Sequence, residues 1–360
     1  MALYTRFSFR LAAKTQATCP RLVVGPLSHA RRCKSSLSKA VPDGTSDVQL
    51  KRSYLYVPAA SDRMLEKSLT NKSDMIIYDL EDSVPPSKED KAAARHRLVS
   101  FIRDLPHPSG VGVRVNSVGT DAFDKDIGQV LELGQTIRTI LMPKIHSAAD
   151  LDIVSEQIHR SRDQRPSGSL EHNLNIIASI ESAKGLWNVG EIAGWQSKHG
   201  PVLGGRVNAL LFAAEDFCAD TSIIRTSSRQ ELLYARSRIV NAAKAFGLQA
   251  IDMVCVNYKD LDYLKKECED GRRLGFNGKQ AIHPTQVDII HETYVPTEKE
   301  IERAANILRQ MLQAHVSKKG AVGIDLEGGG KEMVDAPMLK QAANTIAMAK
   351  SAGLYIPNIA

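Results

Sequence analysis

Eight short β-like runs recur along the chain, at 54–58 (YLYVP), 75–80 (MIIYDL), 111–115 (VGVRV), 139–142 (TILM), 175–180 (NIIASI), 209–212 (ALLF), 250–254 (AIDMV) and 279–282 (KQAI). Between them lie amphipathic helical stretches, with start signals at Ser61-Asp62, Ser87 to Asp90, Ser147 and Ser227-Ser228, the last opening a pattern that ends at Phe246-Gly247. Such alternation calls for parallel strands joined by right-handed crossovers. Eight units in about 240 residues is the size of a closed barrel, so the fold class predicted is α/β, a (β/α)8 TIM barrel. An open doubly wound sheet is the alternative, but the first strand runs into VPAASDR, not into a glycine-rich phosphate turn.

The pattern changes after Tyr294-Val295-Pro296. A charged helix from Thr297 to about His315 leads through AVGIDLEGGGKEMVDAP to a final helix from Pro337 to Ala352. The barrel is therefore assigned to 46–295 and a C-terminal helical lid or oligomerisation extension to 296–360, packing on its own barrel or on a neighbour's. GGGK at 328–331 lacks the leading glycine and the hydroxyl residue of a phosphate loop, since Glu332 follows the lysine.

The net charge of +6 suggests an acidic partner until its location is read. Met1 to Pro42 hold eight Lys or Arg and no Asp or Glu; without them 39 basic residues face 41 acidic ones. An acid-free, Arg- and Ser-rich start is the composition of a transit peptide, so 1–45 is read as a cleaved mitochondrial leader and the protein is expected in the matrix. A basic arm on a cytosolic protein is the alternative. No basic cluster with interleaved aromatics follows, so no nucleic-acid partner is expected. No apolar run approaches the roughly 20 residues of a membrane span. Of five cysteines, Cys218, Cys255 and Cys268 remain beyond the leader, an odd set without CxxC spacing, read as structural.

In a barrel of this kind chemistry collects at the C-terminal ends of the strands. Those ends carry Asp79, Glu81 and Asp82, then Arg114 and Asn116, Lys144, Glu181, Glu215 and Asp216, Asp252 and His283. The sixth run, LLFAAEDF, finishes on two adjacent carboxylates with no cationic side chain within several residues. Adjacent strands lie about 4.8 Å apart, so acids ending the fifth and sixth could meet above the barrel. Paired anions in a partly dry cup need a shared proton or a cation. Oxygen ligands alone favour a hard ion, Mg2+ or else Mn2+. Glu181 and Asp216 are the expected metal ligands; the competing reading is that each caps the following helix. Arg114 could clamp a substrate anion or pair with a local acid such as Glu81. Lys144 stands where a Schiff-base aldolase would keep its nucleophile, though the acid pair makes it a charge partner. His283 could contact substrate or simply end its strand.

The segments YLYVPA, YDLEDSVPPSKEDKAAAR, VRVNSVGT, LMPKI, IIASIESAKGL, LLFAAEDF, AKAFGLQAID, GFNGKQAIHPTQ and MVDAPMLKQA, in this order from about Arg52 to Ala349, resemble the citrate lyase β-subunit-like branch of the HpcH/HpaI aldolase superfamily. The resemblance implies a Mg2+-dependent barrel that cleaves a 3-hydroxyacyl-CoA by a reverse-aldol step. The expected substrate is (3S)-citramalyl-CoA, giving acetyl-CoA and pyruvate. Malyl-CoA cleavage, malate or citramalate synthesis, malyl-CoA thioester hydrolysis, and a citrate-lyase-like subunit are the alternatives. By resemblance the metal acids fall on Glu181 and Asp216, Arg114 on the substrate-binding arginine, and Tyr56, Arg63, Ile282 and His283 on contacts to the CoA substrate. The tail acid, Asp335, is implied to act as acid/base in the site of a neighbouring subunit, with a homotrimer as the expected assembly. Two departures bear on the pocket: Ala213-Ala214 replace a Gly-Gly common in relatives, and His146 stands where many carry Glu.

Overall fold

A computed structural model describes residues 50–105, 110–163, 172–316, 322–325 and 331–358. The leader assigned to 1–45 and the glycines 328–330 lie outside the described residues. Eight parallel strands, β1 (Ser53–Pro58), β2 (Met75–Asp79), β3 (Val111–Arg114), β4 (Thr139–Met142), β5 (Asn175–Ile180), β6 (Arg206–Phe212), β7 (Gln249–Asp252) and β8 (Gly278–Ala281), close into a barrel in chain order. Closure is by β8 pairing β1, with Ser53 opposite Lys279.

Around it run α1 (Asp62–Ser68), α2 (Lys88–Arg103), α3 (Phe123–Glu132), α4 (Ala148–Asp163), α5 (Ala183–Trp187), α6 (Val189–Gly194), α7 (Gly200–Leu203), α8 (Ala214–Thr221), α9 (Leu233–Ala245), α10 (Leu261–Leu274) and α11 (Gln286–Thr293). The start signals operate as read at Ser61 and Ser87, whose hydroxyls accept the Met64 and Asp90 amides. At Ser147 the acceptor is instead Asp150, which takes the His146 and Ser147 amides. The Ser227-Ser228 start is corrected: Arg229 sits at φ 58 and a 3-10 turn, Gln230–Leu232, precedes α9.

Side chains alternate across each strand, which sorts the buried apolar strand residues into two cores. Tyr54, Met75, Ile77, Leu141, Ile177, Ala209, Leu211 and Ile251 fill the barrel interior, with Tyr56 and Ala213 packed against them. The other parity, including Leu55, Ile76, Val113, Ile140, Ile176, Leu210 and Ala250, packs under the helices. In β6 the phase is set by a bulge, where the register with β5 steps from Ile176–Val207 to Ile177–Ala209. The extra residue lets Val207 face the helices while Ala209 and Leu211 face inward.

After Pro296 come α12 (Glu298–Val316), an antiparallel hairpin of β9 (Val322–Asp325) and β10 (Lys331–Val334), and α13 (Ala336–Ser351). Both helices match the reading of the sequence, and the hairpin is an addition to it. The extension has its own small core of Ala304, Ile307, Met311, Val334 and Ala342. Cys218, Cys255 and Cys268 are free and buried, in keeping with structural use.

Candidate functional site

The alternation that builds the interior also aims the strand ends. Counting inward from Ile177, Ser179 and Glu181 follow on the same face of β5. Glu181 is buried, 6% exposed. Burial pushes its carboxyl up to about 7; the Ser179 hydroxyl pulls the other way, the charges of Glu81 and Asp216 add to the rise, and Arg114 opposes it. Asp216 lies exposed in the first turn of α8. Helix capping does not account for either acid. The α5 helix is capped by Ser182, whose hydroxyl accepts the Gly185 amide, and the α8 N-cap is Ala213, with no side-chain cap.

The adjacent carboxylate is different. Glu215 pairs with Arg225, ten residues further on, and Arg225 is itself bound to Glu267 at 2.9 Å and to the Val254 carbonyl at 3.0 Å. Of the two acids ending LLFAAEDF, Glu215 thus has a cation that the sequence did not suggest.

Arg114, on the inward parity of β3, is gripped on several sides. Its Nε and Nη2 donate to the two oxygens of Asp79, both at 2.7 Å. Its Nη1 lies 3.1 Å from Glu81 and 3.3 Å from Asp82, and its guanidinium carbon sits 4.9 Å from the centroid of the Tyr56 ring. Burial alone would raise the Asp79 carboxyl, but Arg114 holds it below its ordinary value. Asp79 also accepts the Glu81 and Ser83 amides, the structural role expected of an Asp in this turn. Glu81 is pushed up by burial against the pull of Arg114 and of Lys144, whose Nζ lies 2.9 Å away. Lys144 adopts φ 53, a left-handed backbone that departs from the alternation of β4.

The acidic turn is supported from beneath. Lys91 of α2 donates to the Leu80 and Glu81 carbonyls at 3.0 and 2.7 Å. Asn116 reaches the Leu80 carbonyl and is fixed by Asp126, which takes the Arg95 guanidinium at 2.6 Å. Neither Lys91 nor Arg95 stands out from sequence, although both lie in the SKEDKAAAR segment that follows the acids.

Tyr56 donates its hydroxyl to Gln280 at 3.0 Å, and Gln280 spans to the Phe212 and Asp252 carbonyls. A glutamine on the inward face of β8 was the available signal for that residue. Arg63 is exposed in the first turn of α1. Ile282 is 42% exposed, and His283 bonds Thr285 and stacks on Tyr258. Asp252 ends β7 as expected but has outward parity, and its carboxylate lies 2.7 Å from Arg236 and 4.0 Å from Lys279. Ala213 packs against the interior whereas Ala214 is in the outer core, so one of the two extra methyls, not both, faces the barrel axis. His146 bonds the Ser182 hydroxyl at 2.7 Å, beside Glu181. Asp335 is the exposed N-cap of α13, accepting the Met338 amide at 3.2 Å, and makes no hydrogen bond or ion pair with the other named residues.

A site assembled in this way offers a buried carboxyl with a raised pKa, electrostatically coupled to a second acid and to a cation held by three more. Among the described residues no group of three His, Cys, Asp or Glu is arranged to hold a metal ion. A cation here would have two protein carboxylates and would complete its shell with water or substrate oxygens.

Comparison with known proteins bears on the same residues. Residues 52–284 match the HpcH/HpaI aldolase/citrate lyase family. The chain is 33% identical to the mitochondrial citramalyl-CoA lyase of Homo sapiens over 345 residues, covering 95% of this chain and 93% of that protein. It is 31% identical to the citrate lyase β subunit of Leuconostoc mesenteroides subsp. cremoris, covering 84% and 94%. A crystal structure of CitE from Mycobacterium tuberculosis with magnesium, acetoacetate and coenzyme A superposes with a TM-score of 0.64 at 28% identity, covering 84% of this chain and 98% of that one.

Proposed function

Since the chain belongs to the HpcH/HpaI aldolase/citrate lyase family, and so is a carbon–carbon lyase acting on CoA thioesters, we propose that it cleaves (3S)-citramalyl-CoA to acetyl-CoA and pyruvate, with Mg2+ held by Glu181 and Asp216. The observation that carries this reading is the raised Glu181 carboxyl, buried and electrostatically coupled to Asp216, with neither acid used as a helix cap. Similarity to the mitochondrial lyase of Homo sapiens across nearly the whole chain favours citramalyl-CoA over other thioesters and supports a mitochondrial location. The CitE complex with magnesium and coenzyme A supports the cofactor and the thioester.

Glu181 and Asp216 are suited to a hard divalent ion because they offer carboxylate oxygens alone. When bound there, the ion supplies Lewis-acid polarisation to the oxygen-rich end of the substrate and relieves the repulsion between the acids. The carbinol hydroxyl gives up its proton to solvent as the substrate binds; the bond between the acetyl methylene and the carbinol carbon then breaks, its electron pair passing to the thioester as an enolate while the carbinol oxygen becomes the ketone of pyruvate. Arg114, held to the inner face by Asp79 and Glu81, stabilises charge on the thioester oxygen. Tyr56 and Arg63, in and after β1, and Ile282 and His283, after the adjacent β8, contact the CoA substrate. Asp335 from a neighbouring subunit protonates the enolate carbon, and the extension carrying it covers the site and excludes water. A homotrimer would provide that neighbour.

Keto acid release tests the assignment. Purified protein given citramalyl-CoA with Mg2+ is expected to release pyruvate, to stop in EDTA, and to prefer this substrate to malyl-CoA. Preferential glyoxylate from malyl-CoA would replace citramalyl-CoA with malyl-CoA. CoA release without a keto acid would indicate thioester hydrolysis, and turnover unaffected by EDTA would refute the metal assignment.

A further inference from the structure

The opening carboxylates of α8 sit side by side in sequence yet point to different parts of the molecule. Glu215 turns towards the β7 side, where Arg225 joins it to the Val254 carbonyl and to Glu267 of α10. That anchor is buried: Glu267 is fully buried and lies 3.0 Å from the equally buried Lys279 of β8. Asp216 and Asp220, four residues apart, share another face. Asp220 shows where that face points, because its carboxylate accepts the Ala183 amide at 2.8 Å, two residues after Glu181. Successive residues of a helix are separated by about 100°, so fixing the direction of Glu215 fixes that of Asp216.

We propose that Arg225 and Glu215 are positioning residues which, by tying the first turn of α8 to the buried charges behind β7 and β8, aim Asp216 at Glu181 and withhold Glu215 from the cation. This rests on the reading of Glu181 and Asp216 as the metal ligands. The pair also draws one anion away from the site, leaving Asp216 as the carboxylate of the first turn of α8 that can serve it.

The test uses the full chain, Mn2+ as the probe, titration calorimetry for affinity, and the melting temperature in EDTA as the measure of fold. Glu215→Ala is expected to weaken Mn2+ binding roughly tenfold, the lower range for loss of an outer partner of a metal ligand, without moving the melting temperature. Glu215→Gln, whose amide oxygen can still accept from Arg225, should bind like the parent, and Asp216→Ala should lose binding. Loss as complete in both Glu215 variants as in Asp216→Ala would make Glu215 a ligand and overturn the proposal. So would unchanged affinity in both, or weakening that tracks a lower melting temperature. Unchanged affinity in Asp216→Ala would overturn the metal-site reading itself, and this inference with it.

Discussion

At the scale of single residues the most informative group is Glu181. Its carboxyl titrates at about 7 in the folded protein against 4.5 ordinarily. Between those values the native state keeps a proton that the unfolded chain has released, so the metal-free protein should lose stability as pH rises through the window. A cation at the same carboxylate must displace that proton. Apparent Mg2+ affinity should therefore weaken as pH falls below about 7, approaching tenfold per pH unit, about the limit for one displaced proton. Calorimetric titration between pH 5.5 and 8, with melting in EDTA alongside, checks both halves, and Glu181→Gln should flatten both profiles. Affinity independent of pH in the parent would mean that Glu181 is not a ligand. The inward positions of Glu181 and Arg114 were legible from sequence because strand alternation decides where they point, whereas Asp216 lies in the first turn of α8 and takes its direction from that helix. Arg225 was not legible, since its pairing with Glu215 bridges the end of α8 and its partner Glu267 lies 42 residues away.

Elements were legible where burial enforces a period. All eight strands were anticipated within a few residues, and their alternation decides which polar groups reach the mouth; Asp252 ends β7 as expected, but its parity turns it outward to Arg236. The hairpin of β9 and β10 escaped because VGID and KEMV are short and flank a glycine run, without a sustained alternation. How tightly elements approach is less legible still. Within α10, Gly271 lies so near β7 and α11 that a Cβ there would collide with the Asp252 carboxylate and the Tyr294 hydroxyl. Alanine in a helix is ordinarily favoured over glycine by about 1 kcal/mol, whereas forcing a group into a packed interior costs typically 1–3 kcal/mol. Both collision partners are buried and Asp252 is tied to Arg236, so the penalty should win. Gly271→Ala is expected to destabilise the protein by about 1–2 kcal/mol, read as a lower urea midpoint at unchanged slope. A higher midpoint would show that the helix can yield.

At the scale of the whole molecule, the residues proposed for the site fall in two parts of the chain. The barrel carries Glu181, Asp216 and Arg114, while the extension has a separate core and presents Asp335 at the exposed N-terminus of α13. An acid/base needs to come within hydrogen-bond reach of the carbon it serves, and the Asp335 carboxylate caps its own helix through the Met338 amide, with no hydrogen bond or ion pair to Glu181, Asp216 or Arg114 of its own chain. If it serves a neighbour's barrel, the two functions can be lost on different chains and recovered by mixing. Asp216→Ala and Asp335→Asn proteins should each be nearly inactive, the first without metal binding and the second with it. After subunit exchange at equal amounts in a closed ring, roughly a quarter of the sites would unite an intact Asp216 with an intact Asp335 from the next subunit. Lyase activity should rise towards that fraction of the parent's. If instead each Asp335 served its own barrel, every site would retain one defect. No recovery after exchange verified by mass spectrometry would therefore assign Asp335 to its own chain, or to no catalytic part at all.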